Sequence, residues 1–131
     1  MKKIKEILEN YDNYKTCLDD RFGSRFIEFL TITEMESIGI ELKDEYKENW
    51  QPKEWTEENI INQLKEDIEF GIEKAEDERG ISSSLMFEVV KSWLRVLEDE
   101  ETLKYFEDYY GYGLNGFYSA RSKYLSNKEN K

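Results

Sequence analysis

Apolar residues recur at steps of three and four along most of the chain, which is the period of an amphipathic helix. The clearest case runs from Trp55 to Gly80. Thr56 is placed to cap its start, and Glu57 and Glu58 put negative charge at the positive end of the helix dipole. Gly80 follows the last turn, where a left-handed residue usually closes a helix. Ile61, Leu64, Ile68, Ile72 and Ala75 share one face and predict the buried stripe. A second helix is predicted over 85–98, with Ser82 to Ser84 offering its cap. Leu85, Met86, Phe87, Val89, Val90, Trp93, Leu94, Val96 and Leu97 cover more than half of its circumference. A helix that apolar is expected between others, with Trp93 in the core.

The flanking elements follow the same logic. Ile4, Ile7, Leu8, Tyr11, Tyr14 and Leu18 form one stripe, predicting a single helix from Lys3 to Leu18. Phe26, Ile27, Phe29 and Leu30 are too closely spaced for periodicity to separate helix from strand. Thr33 and Glu36 fit a capping box, opening a helix of about two turns that Gly39 stops. Residues 40–55, with Pro52, Trp50 and Trp55, read as a surface connection pinned by its tryptophans. Leu103 to Tyr110 and Asn115 to Leu125 predict two more helices, and 126–131 a frayed tail. No run alternates apolar and polar residues long enough to argue for a sheet. The expectation is an all-α fold: one compact bundle of about five or six helices, residues 1–131, centred on helices near 56–79 and 85–98.

Composition narrows the function classes. Charged residues make up 37% of 131 and the net charge is −11, which favours a basic partner and repels nucleic-acid phosphates and anionic membranes. Aromatic residues at 15% argue against disorder. No apolar run approaches membrane-spanning length, and Met-Lys-Lys-Ile-Lys lacks the apolar core of a signal peptide. The one cysteine, Cys17, excludes an intrachain disulfide and fits a reducing cytoplasm. The chain contains no histidine, so Ser-His-Asp and Cys-His machinery and His/Cys zinc sites are excluded within it. No segment has the ligand spacing of an EF-hand. Gly111, Gly113 and Gly116 form a literal G-x-G-x-x-G, but the preceding segment is helix-like and only fifteen residues follow. A dinucleotide fingerprint needs a strand before it and an acid about 20 positions after it, so these glycines read as a turn between helices.

The acids carry the remaining information. Residues 57–78 hold nine acids and two lysines, and Glu66, Glu69, Glu73 and Glu76 step along one face about a third of a turn from the apolar stripe. Like charges one turn apart repel by a few tenths of a kcal/mol. Their axial spacing of about 4.5 to 6 Å is comparable to that between phosphates on one nucleic-acid strand. Phe70 lies beside this stripe, either as an interface anchor or as cover from a neighbouring segment. The candidate partner-binding set is therefore Glu66, Glu69, Phe70, Glu73, Glu76 and Asp77, with Glu98 to Glu101 as a second acidic cluster. Two other readings stand beside a recognition face. One is an ordinary solvated face; the other is a magnesium site built on the helical E-x-x-E pairs Glu66/Glu69 and Glu73/Glu76. The eight aromatics from Tyr105 to Tyr124 read as core packing with wet hydroxyls rather than a base-stacking platform, which would sit in a positive groove.

A resemblance adds a setting. The blocks Trp55-Thr56-Glu57-Glu58-Asn59, Glu69-Phe70-Gly71, Arg79 to Met86 and Val89-Val90-Lys91-Ser92-Trp93, ending near Tyr110-Gly111, resemble small proteins encoded by tailed bacteriophages and prophages. That group has no assigned activity, so no functional residue carries over. The resemblance implies an accessory phage protein acting in a bacterial cytoplasm. Acidic phage proteins of this size often resemble inhibitors of host nucleic-acid-handling or defence systems, anti-CRISPR proteins among them. The expectation is a non-enzymatic protein, without catalytic residues, metal or cofactor, that binds a basic host protein through an acidic helix, in the manner of a DNA mimic. The alternatives are a magnesium-dependent all-α enzyme and a structural or regulatory phage component.

Overall fold

The computed structural model describes residues 1–18, 23–76 and 82–129. Among them there is no strand, and the helices are α1 (Ile4–Glu9), α2 (Tyr11–Leu18), a 3-10 helix (Gly23–Phe29), α3 (Ile32–Ser37), α4 (Asp44–Lys47), α5 (Glu57–Glu76), α6 (Ser83–Leu97), α7 (Glu100–Asp108) and α8 (Gly113–Glu129). The all-α expectation holds, with more and shorter helices than the apolar stripes suggest. No helix among the described residues is long and apolar enough to cross a membrane. Asp77 and Gly80 lie outside the described residues, as does the side chain of Cys17.

α6 is the centre. Met86, Phe87, Val89, Val90, Trp93, Leu94 and Val96 are all buried, and the helix packs against α2, α5, α7 and α8. Ser82 caps it by accepting from the Leu85 amide at 3.2 Å. At its other end Glu98 takes the left-handed conformation (φ 59°), letting the amides of Glu98 and Asp99 reach back to the Arg95 and Leu94 carbonyls. Two aromatic clusters share this helix. Phe26 and Phe29 of the 3-10 helix meet Trp93 and Trp55 at centroid distances of 5.4 to 6.0 Å. Phe87 meets Phe106 of α7 and Phe117 of α8 edge-on, at 6.1 and 5.3 Å.

α5 starts where its sequence says: Thr56 Oγ1 accepts from the Asn59 amide at 3.2 Å. Its buried face, however, is rotated. Ile60, Gln63, Leu64, Asp67, Ile68 and Gly71 are buried, whereas Ile61, Ile72 and Ala75 are only half-buried. The centre of burial therefore sits about a sixth of a turn from the apolar stripe, on the side of Gln63 and Asp67. Asp67 is fully buried, and its Oδ2 accepts from the Trp93 indole at 2.5 Å while Oδ1 accepts from Gln63 Nε2 at 3.0 Å.

Three further expectations are corrected. The helix expected over 3–18 breaks at Asn10, whose backbone leaves the helical region and whose Nδ2 donates to the Glu6 carbonyl at 2.9 Å. Short amide side chains compete for backbone groups in this way and favour helix ends. The capping box is Thr31 with Glu34, not Thr33 with Glu36: the Thr31 amide donates to Glu34 Oε1 at 2.8 Å and the Glu34 amide to Thr31 Oγ1 at 3.1 Å. Gly39 (φ 85°) does stop this helix. The expected frayed tail is helical through Glu129, because α8 is docked there: Tyr124 is buried and Lys128 pairs with Asp99 at 3.7 Å.

The connection over 48–56 is held as its tryptophans suggest. The Trp50 indole donates to the Leu30 carbonyl at 2.8 Å and the Trp55 indole to the Lys2 carbonyl at 3.0 Å. Between them Lys53 pairs with Glu28 at 2.7 Å and donates to Gln63 Oε1 at 3.2 Å, joining this strap to the Gln63–Asp67–Trp93 chain.

The buried carboxylate and the indole are expected to act as a unit. Trp93→Phe leaves Asp67 short of a donor and should cost about 1 to 3 kcal/mol beyond its lost volume. In a double-mutant cycle with Asp67→Ala, measured by urea unfolding, the two losses should fall short of additive by at least about 1 kcal/mol. Simple additivity would show that the contact does not couple the helices.

Candidate functional site

The outer face of α5 follows from its inner one. With Gln63 and Asp67 turned into the core, Glu58, Glu66, Glu69, Glu73 and Glu76 are exposed along one side of the helix. From Glu66 to Glu76 this stripe spans about 15 Å of axis. The proximal neighbour is α8, which contributes two contacts. Arg121 clamps Glu69 Oε1 with Nη2 at 2.5 Å and Nε at 2.7 Å, and the Tyr118 hydroxyl donates a short hydrogen bond to Glu76. Glu73, between them, points to solvent. The stripe is thus anchored to α8 at two points, Glu69 and Glu76.

Phe70 is half-buried and packed against the core, with Lys74 Nζ 5.5 Å from its ring centroid. That is the geometry of cover at the edge of the buried face, and only part of the ring is offered outward. Of the candidate set, then, the structure places Glu66, Glu69, Glu73 and Glu76 on one exposed face with Phe70 at its border; Asp77 lies outside the described residues. Among those residues, no three His, Cys, Asp or Glu side chains are grouped to hold a metal ion. Glu69 and Glu76 meet a guanidinium and a phenol rather than facing carboxylates.

Sequence reasoning missed both partners on α8. The apolar positions of that helix do not form a clean stripe, so nothing marks Tyr118 and Arg121 as facing α5. A shallow apolar cavity of about 260 Å³ lies beside the clamp, lined by Ile68, Tyr124, Leu125 and the stems of Lys65, Glu69 and Arg121. The C-terminal aromatics divide by position: Phe106, Phe117 and Tyr124 are buried, while Tyr110 and Tyr112 are exposed.

No protein-family model matches the chain, nor does any curated protein or solved structure.

Electrostatics around the stripe reach the tyrosines. The hydrogen bond to Glu76 holds the Tyr118 phenol above its ordinary value of 10.0, helped by partial desolvation. Glu101 raises Tyr105 in the same way, and burial raises Tyr124. In the unfolded chain these phenols ionise near 10, so above that pH the unfolded state binds fewer protons than the folded one. Their contribution is fully present below pH 10 and is lost as pH rises through the folded values. Tyr118→Phe should therefore flatten the fall in Tm between about pH 9.5 and 11 relative to the parent. Parallel curves in thermal melts would show that the Tyr118–Glu76 bond does not persist in solution.

Proposed function

We propose that this chain is a non-enzymatic acidic accessory protein of the phage type, acting in a bacterial cell by binding and inhibiting a basic host protein that handles nucleic acid. The α5 stripe is the surface that engages the partner's basic groove, in the manner of a DNA mimic. One observation carries the reading: Glu66, Glu69, Glu73 and Glu76 are all exposed on a single rigid helix that is fixed from behind by a fully buried carboxylate. Acids held at about one-turn intervals repel one another, and a free surface gains nothing from keeping them together. Facing a cationic groove, the same array accelerates encounter and fixes orientation. A helix pre-positioned by its own core also loses little freedom on binding.

Affinity purification of the tagged protein from its bacterial host supplies the partner, and binding kinetics test the surface. Glu66→Gln with Glu73→Gln leaves both α8 contacts in place, and adding Glu69→Gln and Glu76→Gln removes the whole stripe. The fold should survive each change, because exposed ion pairs are worth about 0 to 1 kcal/mol. The association rate should fall in two steps, by about tenfold or more for the full set at low salt, and the difference should shrink at high salt. An association rate indifferent to all four changes would mean that the stripe is only solvated.

A further inference from the structure

The glycines of 111–116 build a second surface. Gly111 (φ 94°) and Gly113 (φ 66°) occupy the left-handed region and turn the chain sharply from α7 into α8. Gly116 has another role: a Cβ there would meet the Tyr109 carbonyl oxygen at 2.5 Å and Tyr112 Cβ at 2.8 Å, so only glycine lets α8 come this close under the turn. The result is an open cavity of about 480 Å³, floored by Gly116 and lined by Asp108, Tyr109, Tyr112, Asn115 and Ser119. Tyr112 is 72% exposed, an unusual position for a large aromatic ring held on a tight turn.

We propose that this cavity receives a guanidinium group, an arginine side chain of a basic protein partner. Aromatic faces attract cations, and the chain's own lysines show it in this neighbourhood: Lys91 Nζ lies 5.2 Å from the Tyr110 ring centroid and Lys123 Nζ 5.5 Å from that of Tyr105. Among the described residues no lysine or arginine sits over Tyr109 or Tyr112, the two rings that line the cavity. Asp108 supplies a carboxylate at the rim, and the Asn115 and Ser119 side chains supply further acceptors. A planar guanidinium satisfies all of these at once, stacking on a tyrosine while its N–H fork meets the carboxylate. An anion is disfavoured. α8 begins here but α7 ends here, so the two helix-end charges oppose, and the exposed Glu107 and Asp108 set the sign.

This inference rests on the reading that the partner is basic, but its test does not need the partner. Amide chemical shifts of the full chain are followed during titration with N-acetyl-arginine amide, and separately with N-acetyl-citrulline amide, which has the same shape without the charge. The arginine compound should give saturable shifts concentrated at residues 108–119, and the citrulline compound should bind at least several-fold more weakly. Tyr112→Ala and Asp108→Asn, both at exposed positions, should keep the parent's Tm and each weaken binding by about two- to fivefold. Glu73→Gln should leave it unchanged. Equal binding of citrulline, or shifts spread over the acidic surface and insensitive to Tyr112→Ala, would overturn the cavity while leaving the α5 reading untouched. Conversely, arginine binding here alongside a stripe that does not affect association would remove α5 from the interface and leave this cavity standing.

Discussion

A carboxylate with no exposure to water is tolerable only where donors meet it, because an uncompensated buried charge costs several kcal/mol. Asp67 is such a group, and the arrangement of the neighbouring elements follows from its donors. The Trp93 indole fixes how α6 lies against α5, since a slide or rotation that an apolar seam would absorb breaks this contact. Gln63, which donates to the other carboxylate oxygen, accepts in turn from Lys53, and Lys53 pairs with Glu28. One polar chain thereby ties α5, α6, the strap over 48–56 and the 3-10 helix. Phe26, Phe29 and Trp55 pack around Trp93, keeping water from its contact with Asp67. Apolar burial supplies most of the driving force for folding; the carboxylate supplies the register.

The same residue decides what the surface looks like. Turning α5 so that Asp67 points inward carries Glu66 and Glu69 outward onto one face, with Glu73 and Glu76 following at helical spacing. Had the apolar stripe of Ile61, Leu64, Ile68 and Ile72 been centred on the core instead, the acids would be displaced by about a sixth of a turn toward α8 or away from it. The contacts of Arg121 and Tyr118 with Glu69 and Glu76 are therefore consequences of an interaction on the far side of the helix. Structural core and acidic face are two readings of one rotation angle.

That dependence explains what was legible beforehand. The starts of α5 and α6 rest on local chemistry, a threonine and a serine that cap ahead of an apolar periodicity, and they are visible in sequence. Asp67 is invisible there, because an acid beside Glu66 and Glu69 looks like one more surface charge, and its partner lies 26 positions away on another helix. The capping box was ambiguous for a different reason. Thr31 with Glu34 and Thr33 with Glu36 have the same spacing, and the choice between them is tied to the placement of Met35, which the observed frame buries completely. The break at Asn10 leaves the stripe intact on both sides, so periodicity alone joins two helices into one. At the C-terminus, polarity suggested fraying, whereas Tyr124 and the Lys128–Asp99 pair dock the last turns of α8. In the candidate site the acids of α5 were legible as a stripe, but their neighbours on α8 were not.

The distribution of cations gives the acidity its direction. The chain has 19 basic residues against 30 acidic ones, and many of the described cations are engaged close to the body. Lys53 is held by Glu28 and Gln63, Arg121 by Glu69, and Lys128 by Asp99. Lys74, Lys91 and Lys123 lie over aromatic rings. Charges committed to internal contacts are poorly placed to reach a partner's surface, so the field that an approaching molecule meets is set by the acids left outside them. Glu58 and Glu73 on α5, and Glu107 and Asp108 at the glycine turn, are exposed acids of this kind. A cationic partner would therefore be drawn to the α5 face and to the tyrosine-lined turn by the same imbalance. What separates the two places is chemistry at short range: a row of carboxylates suits a groove of several cations, and a pair of rings beside one carboxylate suits a single guanidinium.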